Sequence, residues 1–396
     1  MDRHIKLTGA RVALTATRAE RLDLVIRRGH ILPFDNKAAT DGELDLSGHL
    51  LLPGLINAHD HLEFSLFPRL GKGPYRNASE WAAAIYHPER SPVKEHLLVP
   101  KKDRLIWGGI RNLLSGVTTV AHHNPWEPAV FGATFPVRVV RRFGWAHSLN
   151  FSADLADRFR RTPVRWPFII HAAEGTDAQA LAEVSLLDEC GVLTRRTVLV
   201  HAVGTGISER EIIFKRGSSI IWCPSSNLFT LGRTLLPAAL NSGVPIALGT
   251  DSALTAEGDM IDEMRVAQNA YALTAQEIYP LVTANAARVL RLTGGQGTIR
   301  ERGTADLIAV KDTGQTPAGA LSSLQPELVM AGGRIMLASE RFALQASKRF
   351  HRLGFHRLNM EGRGVYLLRA DIPRLCASAA AALGSEIRLA GKRVLA

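Results

Sequence analysis

Residues 52–62 read Leu52-Pro53-Gly54-Leu55-Ile56-Asn57-Ala58-His59-Asp60-His61-Leu62. A Pro-Gly turn is followed by a short apolar run that ends on two histidines, two positions apart. In a strand, residues i and i+2 face the same side, so both imidazoles can reach one point. Taken alone, the pair is more often two surface or hydrogen-bonded histidines than part of a metal site. The chain on either side decides between these.

Upstream, the first fifty residues are short strands and turns. Leu22–Ile26 and His30–Leu32 flank Arg27-Arg28-Gly29, and residues 45–52 repeat the style. Downstream the rhythm changes. The β-branched run at 116–121 follows a helical segment, Asp103 to Leu114. Phe168-Ile169-Ile170 precedes a helix from Ala178 to Cys190, and Thr197–Val200 precedes one from Ser208 to Lys215. Apolar runs at 219–222 and 244–248 continue the series. Strands alternating with helices predict a parallel sheet or barrel, and fully apolar strands predict a sheet covered on both faces. After Leu292 the β style returns.

His171, His201 and Asp251 each stand just past the end of one of these apolar runs. That is where α/β barrels project their active-site groups. Together with His59 and His61 they make five nitrogen or oxygen donors at strand ends in sequence, which predicts a metal centre. Imidazole and carboxylate suit zinc or iron(II) equally. Glu174, three residues after His171, can lean over the metal without binding it and move protons between water and a leaving nitrogen. No lysine lies between Lys102 and Lys215. A second metal bridged by a modified lysine from a middle strand therefore has no candidate, and one divalent metal is expected.

The 396 residues exceed the roughly 250 of one barrel. Hydrophobic residues at 46% and charged residues at 21% are ordinary globular usage. The polar N-terminus lacks a signal-peptide core, and no apolar run is long enough to span a bilayer. Cys190, Cys223 and Cys376 give no disulfide framework, so a cytoplasmic location is the default. The net charge of +11 is spread along the chain, with one denser stretch from Lys348 to Arg357. The plain reading is solvated basic faces; nucleic-acid binding would rest on that charge alone and is not expected, and an anionic substrate is the better of the functional readings.

Several of these segments resemble the amidohydrolase superfamily, in its mononuclear branch of cytosine, guanine and triazine deaminases. Residues 52–62 look like its PGxxxxHxH signature, and His171-Ala172-Ala173-Glu174 like its HxxE. Cys223-Pro224-Ser225-Ser226-Asn227 and Gly249-Thr250-Asp251-Ser252 look like its CPxSN and GTDS segments. Gly297-Thr298-Ile299 through Gly303-Thr304-Ala305-Asp306-Leu307 is similar to its return into a small domain. The resemblance covers roughly residues 5 to 340.

It implies a distorted TIM (β/α)8 barrel with a small β-sandwich built from both chain ends. The boundaries become 1–53 with 296–343 for the small domain, 54–295 for the barrel, and 344–396 for a C-terminal extension, an added unit or a homo-oligomer contact. By motif position, His59, His61, His171 and Asp251 would be the metal ligands. Glu174 would be the proton shuttle, His201 would orient the water or polarise the substrate, and Asp251 would also take a proton from the water. The two dozen residues between Gly144 and His171 are fewer than one βαβ unit needs, so the barrel is expected to be abbreviated there.

The expected reaction is hydrolysis of a C–N bond, with deamination of an amino-heterocycle first and opening of a cyclic amide second. A metal-binding protein without catalysis is the alternative of another class. The substrate is expected to be a small, planar molecule with an anionic edge. Leu62 to Pro100, rich in Pro, Gly and aromatics, is expected to be an irregular lid over it. Within that lid Arg69 and Trp81 can pair with and stack on such a ring. Asn124 and Trp126 follow the second strand and open on the same face, and Asn227 of the CPSSN segment completes the substrate set.

Overall fold

The computed structural model describes residues 4–35, 39–345, 354–384 and 386–395. Its centre is built from eight short strands in two parallel sheets. Leu55–Asp60, Val117–His122 and Arg138–Val139 form one; Gly144–Ala146, Phe168–Ala172, Thr197–His201, Ser219–Trp222 and Ile246–Leu248 form the other. Every residue of the strands at 55–60, 117–122, 168–172 and 197–201 is buried, because helices cover the outer face and side chains fill the inner one. This is a TIM-barrel-like α/β fold.

The two sheets meet where the last strand returns to the first. The Asp251 N–H donates to the His59 carbonyl at 3.1 Å. Gly249 makes that approach possible. A Cβ on it would stand 2.7 Å from the His59 Cβ and 2.9 Å from the His59 nitrogen. On the opposite side, among the described residues, no ladder joins Arg138–Val139 to Gly144–Ala146.

Two expectations need correction. The abbreviation does not lie between Gly144 and His171, which hold a strand, the helix Leu155–Arg161 and the next strand. It lies one step earlier. Residues 123–137 carry no helix, and only four residues link Val139 to Gly144. Pro125, Pro128, Gly132 and Pro136 explain it, since each breaks a helix in that stretch. The segment from Leu62 to Pro100 is also less irregular than expected. It contains a 3₁₀ turn at Leu62–Phe64 and helices at Ala78–Ile85 and Val93–Leu98. Asn77 starts the first of these helices by accepting the Glu80 N–H.

The rest of the β structure joins both chain ends. His49–Pro53 pairs antiparallel with Leu307–Lys311 in a ten-stranded sheet. The hairpin His356–Met360 and Gly364–Leu368 extends that sheet, Leu368 opposite Leu337. The same C-terminal region reaches the barrel twice. Arg374 and Ser378, on the helix Ile372–Leu383, bind the buried carboxylate of Asp103 at 2.9 and 2.5 Å. Arg363 binds Asp259, the N-cap of the helix Met260–Tyr271. Of the basic stretch at 348–357, residues up to 353 lie outside the described residues. Among the described residues no helix is long and apolar enough to cross a membrane.

Candidate metal centre and its cavity

The five strand-end donors converge. One ligand atom from each of His59, His171, His201 and Asp251 lies within 4.8 Å of the other three. His171 Nε2 stands 3.2 Å from His59 Nε2. Asp251 Oδ1 is 3.4 Å from His59 Nε2 and 3.5 Å from His61 Nε2. Zinc holds imidazole nitrogen at about 2.1 Å, so neighbouring ligand atoms of a tetrahedral site stand about 3.4 Å apart. The observed spacings fit that geometry. His61 and His201 both border the point, so the sequence-derived ligand set of His59, His61, His171 and Asp251 and the tighter group that includes His201 share three members.

Three of the donors are aimed from behind. The Nδ1 of His171 donates to the His147 carbonyl at 2.8 Å, leaving Nε2 with its lone pair forward. The Nδ1 of His201 meets Asn227 Oδ1 at 2.7 Å with the same result. Asp251 Oδ2 accepts from Ser226 Oγ at 2.6 Å and Thr255 Oγ1 at 3.1 Å, which turns Oδ1 to the histidines. His201 and Asp251 take left-handed backbone angles, φ +76° and +53°. Such conformations cost about 1–3 kcal/mol each and persist where the surroundings hold them, commonly at functional sites.

Behind the histidines lies a buried polar layer. Arg111 donates to Asp60 Oδ1 at 2.8 Å and to Thr250 Oγ1 at 3.2 Å. Asn112 and Asn57 donate to Asp60 Oδ2 at 2.7 and 3.1 Å. All of these side chains are buried, so their charges are met by one another rather than by water.

Electrostatics prepare the donors for a cation. Burial pushes the His59, His61 and His171 imidazoles below their usual range, so they stay neutral and keep lone pairs to give. Burial works against ionisation of Asp251, but His59, His201 and His61 outweigh it and hold its carboxyl well below the usual value. Glu174 stands apart: burial pushes its carboxyl up to about 7. Its Oε1 lies 3.4 Å from His201 Nε2. A carboxyl that titrates near neutrality can both take and give a proton there.

The centre opens into a cavity of about 480 Å³. Trp81 and Asn124 line it; Arg69, Trp126 and Asn227 do not. Arg69 is exposed and lies over the Phe229 ring, 4.6 Å from its centroid. Trp126 packs edge-on against Phe131 with Arg141 over its face. Asn227 is buried, spending its carbonyl on His201 and its amide N–H on Thr234 at 3.3 Å. Its carbonyl thus holds the His201 ring. His147, Phe151, Asp177 and Glu183 line the cavity and were missed. His147 follows the strand Gly144–Ala146 just as His171 follows its own, but Gly144-Trp145-Ala146 after Arg141-Arg142 lacks the aliphatic run that marks a buried strand. Desolvation at the wall, aided by His61, pulls His147 down to about 4.

A model of the amidohydrolase family matches residues 165–336. A 5-methylthioadenosine/S-adenosylhomocysteine deaminase of Thermococcus sibiricus is 36% identical over 340 residues, 70% of this chain and 77% of that protein. The chain belongs to the amidohydrolase family. It lies in the deaminase-like branch and is a metal-dependent hydrolase acting on C–N bonds. Solved members share the fold at low identity. A zinc-bound adenosine deaminase from Xanthomonas campestris superposes with a TM-score of 0.69 at 19% identity, over 96% of this chain and 97% of that one. A mutant of atrazine chlorohydrolase from Arthrobacter aurescens, complexed with zinc and atraton, superposes with 0.67 at 18%, over 96% and 99%. The donor set here suits the same cofactor, a divalent metal such as zinc.

Proposed function

We propose that this amidohydrolase deaminates an amino-substituted heterocycle, and that an aminopurine nucleoside of the kind named for its relatives is the first substrate to try. The observation that carries the reading is Glu174, a carboxyl titrating near 7 beside four convergent donors.

In this reading His59, His61, His171 and Asp251 hold the metal. When bound, the metal lowers the pKa of a water from 15.7 toward about 7. Asp251 and Glu174 take the proton that water loses. His201, fixed by Asn227, directs its Nε2 at the reacting carbon's substituents. A C–O bond forms at the amidine carbon, and the C=N electron pair moves to the ring nitrogen, which takes a proton from Glu174. The new C–OH then gives up its proton by way of Asp251 to the leaving nitrogen, the O–H pair closes a C=O bond, and the C–NH2 pair departs with ammonia. Trp81 and Phe151 offer flat apolar surface to the ring.

The same reading takes the eight strands as a distorted barrel and the β structure of 1–53 and 296–343 as a composite sandwich. The pairing of Leu337 with Leu368 supports grouping 344–396 with that small domain. The cysteines are unpaired, which suits a reducing cytoplasm.

The test is ammonia release by the zinc-loaded protein across aminated purines, pterins, pyrimidines and triazines. Release from at least one ring supports the proposal. Ring opening without ammonia replaces it with cyclic-amide hydrolysis.

A further inference from the structure

The protein carries a net charge of +11, yet its cavity has the opposite character. Among the described residues that line it, none is an arginine or lysine, while Glu174, Asp177, Glu183 and Asp251 all are lining residues. The nearest guanidinium in sequence, Arg76, is exposed and tied to Glu80, and does not line the cavity.

Some of the neutral groups on the wall are engaged inside the protein. Asn124 Nδ2 donates to Glu63 Oε1 at 2.6 Å. A carboxylate only accepts, so the amide cannot flip, and Oδ1 with the second N–H is left for a ligand. Asn77 accepts from Glu80 N and donates to Asp177 Oδ2 at 2.5 Å. The Trp81 indole N–H is taken by the Leu70 carbonyl at 3.0 Å. Glu183 uses Oε2 on the Ala173 N–H at 2.6 Å and keeps Oε1. Asp177, the N-cap of the helix Ala178–Glu189, accepts from Ala180 N and Asn77 Nδ2, and Glu183 lies on that helix, so the two carboxylates stand on one wall beside Glu174.

We infer that the cavity selects its substrate by charge. It takes an amino-heterocycle whose substituent is uncharged, cationic or zwitterionic beside the Asp177–Glu183 wall, and it rejects one whose substituent carries a net negative charge, such as a phosphate. At the floor the metal's charge is met by Asp251 and Glu174, so an anion placed against the Asp177–Glu183 wall meets like charge in a partly dehydrated space, with no arginine or lysine among the described lining residues to offset it. This rests on the deaminase reading and goes against the anionic edge expected from composition.

The experiment measures kcat/KM for ammonia release by the zinc-loaded full chain on matched sets that share a ring. One set is adenosine, 5′-amino-5′-deoxyadenosine, 5′-methylthioadenosine and adenosine 5′-monophosphate; a second uses cytidine, its 5′-amino derivative and its 5′-monophosphate. Within a set that reacts, the phosphate member should fall about 100-fold or more below the uncharged ones, the scale of an uncompensated like-charge contact. Asp177→Asn keeps the helix cap, and Glu183→Gln keeps an acceptor for Ala173. Each should raise the phosphate-to-neutral ratio by about tenfold, since each removes one repelling charge. A phosphate member as good as the neutral ones, or a ratio unmoved by both variants, overturns the inference while leaving deamination intact. No ammonia from any ring overturns the deaminase reading and this inference with it.

Discussion

At the scale of single residues, Glu174 and the ligands separate cleanly. Glu174→Gln should retain metal and fold while ammonia release drops by about 10²-fold or more, the size of a lost general acid–base. His171→Ala should instead lose the metal, because it removes an imidazole aimed by the His147 carbonyl. Elemental analysis beside turnover distinguishes the two, and metal loss in Glu174→Gln would move Glu174 into the ligand set. These residues were legible in sequence because each follows a long apolar run, and a strand end leaves a side chain little choice of direction. The substrate set was less legible for a physical reason. Arg69 and Trp126 have the composition of a binding surface, but Phe229, Phe131 and Arg141 already satisfy them. Nothing in a linear sequence says which neighbour a loop aromatic has found.

At the scale of elements, the helix Ala78–Ile85 brings Trp81 to the cavity, whereas Arg69 sits outside it. Trp81→Ala should therefore raise KM with metal content unchanged, and Arg69→Ala should leave kcat/KM within about twofold, as surface changes usually do. Equal losses in both would restore the wider lid read from sequence. The helix Met260–Tyr271 offers a pH test. Its Glu263 is buried, accepts the Ser225 N–H at 3.0 Å, and is pushed up to about 8 by burial. Its folded-state value thus lies above the ordinary 4.5. Between those values the unfolded chain gives up the proton and the folded one keeps it. The stability this group contributes is therefore complete below about 4.5 and is lost as pH rises through 8. Melting curves from pH 5 to 8 should show the native protein losing ground against Glu263→Gln, and parallel curves would show that this carboxyl is not perturbed. Elements with long runs were readable from sequence, such as the helices at 101–114 and 178–189. The helix-free stretch at 123–143 was misplaced because its signal is proline spacing, which marks where helices stop but not which strand follows.

At the scale of the whole molecule, the two chain ends share one sheet, and the C-terminal region grips the barrel at Asp103 and Asp259. Those carboxylates belong to the helices that carry Arg111, behind Asp60, and Glu263, near Asp251. Arg363→Met should loosen one grip. We expect a melting temperature several degrees lower and a weaker hold on zinc, since breaking a largely buried ion pair strands Asp259. An unchanged zinc affinity would show that the tail only stabilises. If the grips do transmit, thermodynamic linkage makes the traffic two-way: whatever tightens the metal must also tighten the tail, by the same free energy. Stripping the zinc with a chelator should then let a protease trim residues beyond 354 sooner, so the far end of the chain would report from a distance on whether the centre is loaded.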